Sequence, residues 1–336
     1  MNLFMVKRTT TVSALFLTSV FSHSLYAAEG YATRYWDGCK PHCSWSENSD
    51  GNPIKTCNID NELNSSETEI ASSCDGGNAY TCWDMSPKEV SDTLSYGYAA
   101  VPATDDSCGI CYQLTFTGTG KYNDSEPGSV ALKENGKSMI VMATNIGYDV
   151  SGGQFDLLIP GGGVGAYDAC STQWGVDGDD LGSQYGGFLT SCQSKYGYDD
   201  TDTLKSCVQN MCDTVFSQDG MEDLKNGCDW YVDWFEMADN PNLEYEVVDC
   251  PDDLVTGAYA EYADTDSSDT DSSDTDDSDA TDSSDTTDSS DTDAMDDSES
   301  DSSTHEANSE SGGSVEWHVL LVLFMLLHIR RRKQLK

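Results

Sequence analysis

Apolar and polar positions alternate over residues 112–118 (YQLTFTG). Alternating or continuously apolar runs return over 138–146 (SMIVMATNI), 155–160 (FDLLIP) and 243–250 (LEYEVVDC), with Gly, Asn and Asp between them. Side chains that point to opposite faces at each step produce this pattern, so each run predicts a β-strand. One helix is predicted from Ser86 onward. Ser86 stands in the capping position, Pro87 in the first turn and Glu89 where it closes a capping box, and Val90, Leu94 and Tyr98 fall on one helical face. A second helix is predicted within 202–217. The reading is mainly β, with strands outnumbering helices.

The two ends of the chain follow other rules. Residues 1–28 have the order of a secretory signal: Lys7 and Arg8, an apolar stretch, then Ala27 and Ala28. Residues 29–258 hold nearly all the aromatics and every cysteine, which predicts one domain with a sizeable core. Residues 259–310 are an acidic Ser/Asp-rich stretch with too few apolar groups to offset the entropy of ordering, and read as a disordered linker. Residues 311–336 bring Gly312 and Gly313, a short apolar run over 315–329 and then Arg330, Arg331, Arg332 and Lys333. Fifteen residues make about 22 Å of helix against roughly 30 Å of hydrocarbon. The segment resembles the GlyGly-type C-terminal sorting signal of some Gram-negative bacteria, which implies cleavage by a rhomboid-like protease and attachment at the cell surface. A plain membrane anchor is the alternative, and either places the domain outside the cell.

Charge narrows the partners. The net charge is −43, of which 264–301 supply −17 and 29–263 another −30. Nucleic acid and anionic membrane are disfavoured, because phosphate binding needs Lys and Arg to displace counterions. A neutral substrate fits. Thirteen cysteines in an exported chain read first as disulfides; a zinc knuckle or redox pair at Cys108 and Cys111 is the lesser reading. Of five histidines only His42 lies in the folded region, so a multi-histidine metal site is excluded and any histidine relay would hang on that one residue. The Gly-rich stretch at 159–168 matches neither phosphate-binding pattern. Carboxylates beside aromatic rings remain, without metal or cofactor, and two carboxyls with separated proton affinities perform glycoside hydrolysis.

Thr33-Arg34-Tyr35-Trp36-Asp37, with Cys39, Cys43 and Trp45 behind it, closely resembles the N-terminal signature of glycoside hydrolase family 45. The resemblance continues through CDGGNAYTCWD (74–84), YGYAA (96–100), CYQLTFTG (111–118), DVSGGQFDLLIPGGGVGAYDAC (149–170), CDWYVDWFEMADNP (228–241) and VVDCP (247–251). It implies a six-stranded double-psi β-barrel with a few helices and disulfide-stapled loops, hydrolysing internal β-1,4-glucosidic bonds of cellulose and related glucans with inversion. Carried over by position, Asp37 is the general base, Asp156 the general acid and Asp149 an assisting carboxylate, while Tyr35 and Trp45 contact sugar.

The same resemblance implies the pairs Cys39–Cys74, Cys43–Cys108, Cys57–Cys82, Cys111–Cys250 and Cys192–Cys228. Gly38 stands where the family has a cysteine, which leaves Cys170 as the odd thiol. Cys207 and Cys212 fall in an insertion, where a bridge between the two is conceivable. Gln154 replaces a histidine common in the family. The expected product is a monomeric endoglucanase acting on a β-1,4-glucan, extracellular and attached to a bacterial surface. The alternatives are a non-hydrolytic, expansin-like wall-loosening protein, whose pattern lacks the base, and a polysaccharide-binding surface protein.

Overall fold

The computed structural model describes residues 27–65, 69–103, 107–147 and 149–260. The signal, linker and C-terminal sorting or membrane-anchor readings lie outside these residues, apart from positions at their borders. Among the described residues no helix is long and apolar enough to cross a membrane.

The fold is mainly β. Seven strands form one sheet: β1 (Ala28–Tyr35), β2 (Lys88–Ser91), β3 (Leu94–Pro102), β4 (Cys111–Gly120), β5 (Ser138–Gly147), β6 (Gln154–Leu158) and β7 (Pro241–Val248), in the order β2-β3-β5-β4-β7-β1-β6. Because β6 also pairs with β3, through Ala99–Leu157 and Ala100–Asp156, six of the seven strands return on themselves as a ring. Two pairs in that ring are parallel, β1 with β6 and β3 with β5. The alternating positions seen in the sequence supply the core. Leu114 and Phe116 on β4, Met139 and Val141 on β5, Phe155 and Leu157 on β6 and Leu243 on β7 are all buried. Each such side chain contributes about 1.5–3 kcal/mol by leaving water. The strands over 112–118, 138–146, 155–160 and 243–250 are present with ends shifted by a few residues.

The helix expected after Ser86 is absent. Ser86 Oγ donates to the carbonyl of Trp83, so it caps nothing, and Lys88–Ser91 pairs antiparallel with β3 across a two-residue turn. The reason is a shared period. Positions 90, 94 and 98 lie on one face of a helix, but as even-numbered positions they also lie on one face of a strand. Val90 is 48% exposed in the structure, so the apolar contact that would decide for a helix is missing.

Six α-helices are described: α1 (Pro127–Glu134), α2 (Cys170–Trp174), α3 (Gly187–Tyr196), α4 (Thr201–Val215), α5 (Glu222–Asp233) and α6 (Asp252–Ala258). The helix predicted within 202–217 is α4. Asp200 caps it, accepting from the Thr203 amide, and Leu204, Val208, Cys212 and Val215 form its buried stripe.

The disulfides Cys39–Cys74, Cys43–Cys108, Cys57–Cys82 and Cys111–Cys250 are present. Cys108 and Cys111 therefore go to different partners and form neither a redox pair nor a zinc knuckle. The expected Cys192–Cys228 bridge is not formed, and Cys207 and Cys212 do not join each other. Cys192 pairs with Cys207, and Cys212 with Cys228. Both inserted cysteines ride on α4, five positions and so about 140° apart around the helix, which turns one toward α3 and the other toward α5. The insertion is thus stapled into a three-helix layer. Cys170 is the free cysteine; it is buried, with Sγ 2.9 Å from the Trp36 carbonyl.

Candidate active site

Burial alternates along the first strand and its continuation. Ala32, Arg34 and Trp36 are buried, while Tyr31, Thr33, Tyr35 and Asp37 keep partial access to solvent. One face feeds the core and the other presents two phenols, a hydroxyl and a carboxyl. On the neighbouring parallel strand β6, Phe155 and Leu157 turn inward while Gln154 and Asp156 stay half-buried. The register sets Tyr31 beside Gln154 and Thr33 beside Asp156. Two strands far apart in sequence thereby put their polar residues on one surface.

Asp156 accepts a 2.8 Å hydrogen bond from Thr33 Oγ1 at its Oδ1. Burial nevertheless pushes its proton affinity up to about pH 7, and the nearby charges of Asp149 and Asp37 add to the rise, against the opposing pull of Thr33 and Arg34. Asp37 is pushed up to about 6, again chiefly by burial, partly offset by the Cys39 amide that donates to its Oδ1 at 2.9 Å. Gly38, with φ +75°, makes the turn that brings this amide round, and the Cys39–Cys74 bridge pins it. The main chain of Asp37 is held too, since its carbonyl accepts from the Ala169 amide at 2.8 Å.

Asp149 is exposed, in the segment between β5 and β6, and its charge acts on Asp156. The same segment is anchored to β1 at its far end. The Tyr31 amide donates to the Gly153 carbonyl at 3.2 Å, and a Cβ on Gly30 would stand 2.1 Å from that oxygen, so the approach requires glycine there. Tyr35 joins the carboxyl cluster: burial and the fields of Asp37 and Asp156 raise its phenol well above the ordinary range. Its hydroxyl accepts from Asn145 Nδ2 at 3.1 Å, and Asn145 Oδ1 accepts from the His42 amide at 2.9 Å. Trp45 lies in the loop after Cys43, which the Cys43–Cys108 bridge holds. One face of its ring lies under Lys40 Nζ, 3.4 Å from the centroid. Among the described residues no group of three or more His, Cys, Asp or Glu converges as a metal site.

Thr33, Arg34, Asn145 and Asp239 complete the site and were given no role by sequence reading. Asn145 carried a signal, as a polar residue closing an otherwise apolar strand. Arg34 carried another, as a base on the inward face of β1. Its guanidinium donates to Asp239 at 2.8 Å and to the Gly186 carbonyl, and stands 5.5 Å from the Tyr231 ring centroid. Asp239→Ala would leave that cation buried without its partner, a loss worth about 3 kcal/mol. Urea unfolding of the variant measures it, and an unchanged midpoint would show the pair to be dispensable.

Residues 29–260 match the model of glycosyl hydrolase family 45. The chain is 56% identical over 230 residues to endoglucanase B of Cellvibrio japonicus (strain Ueda107), covering 68% of this chain and 44% of that protein. It is 39% identical over 248 residues to a putative endoglucanase type K of Fusarium oxysporum, covering 72% and 55%. The crystal structure of a cellulase from the Antarctic springtail Cryptopygus antarcticus superposes with a TM-score of 0.54 at 32% identity, covering 70% of this chain and 97% of that one. The chain thus spans about half the length of the first two relatives.

Proposed function

We propose, for a chain that belongs to glycosyl hydrolase family 45, that it is an extracellular endo-β-1,4-glucanase acting by inversion. The observation that carries this reading is the pair of half-buried carboxyls on one surface, Asp156 holding its proton to about pH 7 and Asp37 to about 6. Asp156, protonated, is the general acid that donates to the departing glycosidic oxygen. Asp37, ionised, is the general base that takes a proton from the attacking water on the opposite side of the sugar. Asp149 adds negative charge that keeps the Asp156 proton in place. Tyr35 and Trp45 contact sugar rings, whose CH groups pack on aromatic faces. We read the six-strand ring as a double-psi β-barrel, a reading supported by its two parallel pairs.

The N-terminal segment directs export, and the C-terminal segment hands the domain to a sorting protease or holds it at the membrane. The domain acts there as a monomer. Amorphous cellulose, mixed-linkage glucan, xyloglucan and glucomannan are the candidate substrates.

Catalysis requires Asp37 ionised and Asp156 protonated. Activity therefore rises as pH passes about 6 and falls as it passes about 7, with a maximum between the two limbs. A kcat/KM profile still climbing at alkaline pH would contradict this assignment. The deciding experiment is viscometry of a soluble β-1,4-glucan with the domain over 29–260. A fast fall with few new reducing ends establishes endo-hydrolysis. No fall, with binding to insoluble cellulose retained, would give the site to the expansin-like or adhesive reading. NMR of the first products should show the α-anomer, and β-anomer first would rule out inversion.

A further inference from the structure

Tyr31 and Gln154 have no part in the mechanism above, yet both are wired to its acid. Three hydrogen bonds run along the β1–β6 pair. Tyr31 OH donates to Gln154 Oε1 at 2.8 Å, Gln154 Nε2 donates to Thr33 Oγ1 at 3.0 Å, and Thr33 Oγ1 donates to Asp156 Oδ1 at 2.8 Å.

The direction of this chain follows from donor and acceptor chemistry. An amide oxygen only accepts and an amide nitrogen only donates. Which end of Gln154 is oxygen is set independently, because the Ser151 backbone N–H, able only to donate, lies 3.4 Å from Oε1. Gln154 Nε2 thus donates to Thr33 Oγ1. The Thr33 hydroxyl has a single proton, and with its oxygen already accepting, that proton goes to Asp156 Oδ1. An Oδ1 that receives this hydrogen has no reason to carry the acid proton toward Thr33.

We propose that Gln154, held in place by Tyr31, is a positioning residue that reserves Asp156 Oδ2 for the acid proton and keeps that proton available to the glycosidic oxygen. The inference rests on the reading of Asp156 as general acid. Without Gln154 the Thr33 hydroxyl is free to rotate and accept from Asp156. The acid would then spend its proton on Thr33, and its protonated form would gain a hydrogen bond it does not have now. The other charged or titratable groups whose fields couple to Asp156 are Arg34, Asp37 and Asp149, with Tyr31 and Tyr35 on β1. A neutral replacement at 154 leaves the charge of each unaltered.

The test compares wild type, Gln154→Met, Tyr31→Phe and Asp156→Asn on two substrates. One is an unmodified cello-oligosaccharide, whose leaving group needs a proton. The other is a dinitrophenyl cello-oligoside, whose leaving group does not. Gln154→Met should lose at least about tenfold in kcat on the first, a part of what general acid catalysis supplies, and little on the second. The alkaline limb of its kcat/KM profile should move to higher pH. Tyr31→Phe, which removes one hydroxyl, should shift both readouts the same way by less, and it decides the matter if Gln154→Met does not fold. Equal losses on both substrates, or an alkaline limb that stays put, would make Gln154 a structural or sugar-binding residue and overturn the proposal. If Asp156→Asn stays active, the acid assignment itself fails and the proposal goes with it. An inactive Asp156→Asn beside an unaffected Gln154→Met rejects the positioning role alone.

Discussion

Asp156→Asn should lose about 10²- to 10⁴-fold in kcat/KM on unmodified β-1,4-glucan while keeping its fold. The amide is the same size and still accepts from Thr33, so the β1–β6 register is undisturbed, but it has no acid proton to give. The same variant should change stability in a direction that depends on pH. The folded-state affinity of Asp156 lies near pH 7 against an ordinary value of 3.8, so the folded chain holds a proton that the unfolded chain releases. Stability from this group is fully present below about pH 4 and is lost as pH rises through about 7. Asparagine does not titrate and is spared that loss. Relative to wild type, the variant should therefore gain stability between acid and alkaline buffer, as read by denaturant unfolding at both ends. Asp37 carries a cost of the same sign, complete above about pH 6. An Asp156→Asn protein with wild-type turnover would sink the acid assignment, and one no more stable at alkaline pH would show Asp156 to be better solvated than its position implies.

Much of this arrangement can be read along the chain because period two survives in it. Leu114, Phe116, Met139 and Val141 are buried where the alternation places them. The carboxyls stand out only once the TRYWD and QFDLL segments are read together, since composition alone makes any one acid in this chain a solvated surface group. Three features could not be read locally. The β2–β3 hairpin carries a helix-like pattern because a four-residue spacing fits both periods, and Val90 is exposed in the hairpin. The Cys192 partner depends on which face of α4 carries Cys207, a matter of helix phase within the stretch between Cys192 and Cys228. The Tyr31–Gln154–Thr33–Asp156 chain depends on the register between strands 123 residues apart, which hydrophobic pattern does not specify in number. Non-local pairing hides a site's supporting residues, even when its reactive groups sit in a recognisable motif.

Asp37→Asn should be as damaging as loss of the acid, about 10²- to 10⁴-fold, but with a different signature. In the proposed role the base acts on water, whose proton must be removed whatever the leaving group is. Asp37→Asn should therefore be slow on the dinitrophenyl cello-oligoside as well as on the natural chain, whereas Asp156→Asn should recover much of its rate on the activated substrate. The structure gives a reason for the split. Asp37 Oδ1 is occupied by the Cys39 amide, which leaves Oδ2 to receive the proton from water, and the Cys39–Cys74 bridge holds the turn that fixes this geometry. The acid limb of the pH profile, near 6 in wild type, should vanish in Asp37→Asn while the alkaline limb persists. Its position should shift a little toward acid, because the negative charge of Asp37, which helps hold the Asp156 proton, is gone. Recovery of Asp37→Asn on the activated substrate, with Asp156→Asn slow on both, would exchange the two roles. The carboxyl pair would stay, but the proton would travel the other way across it.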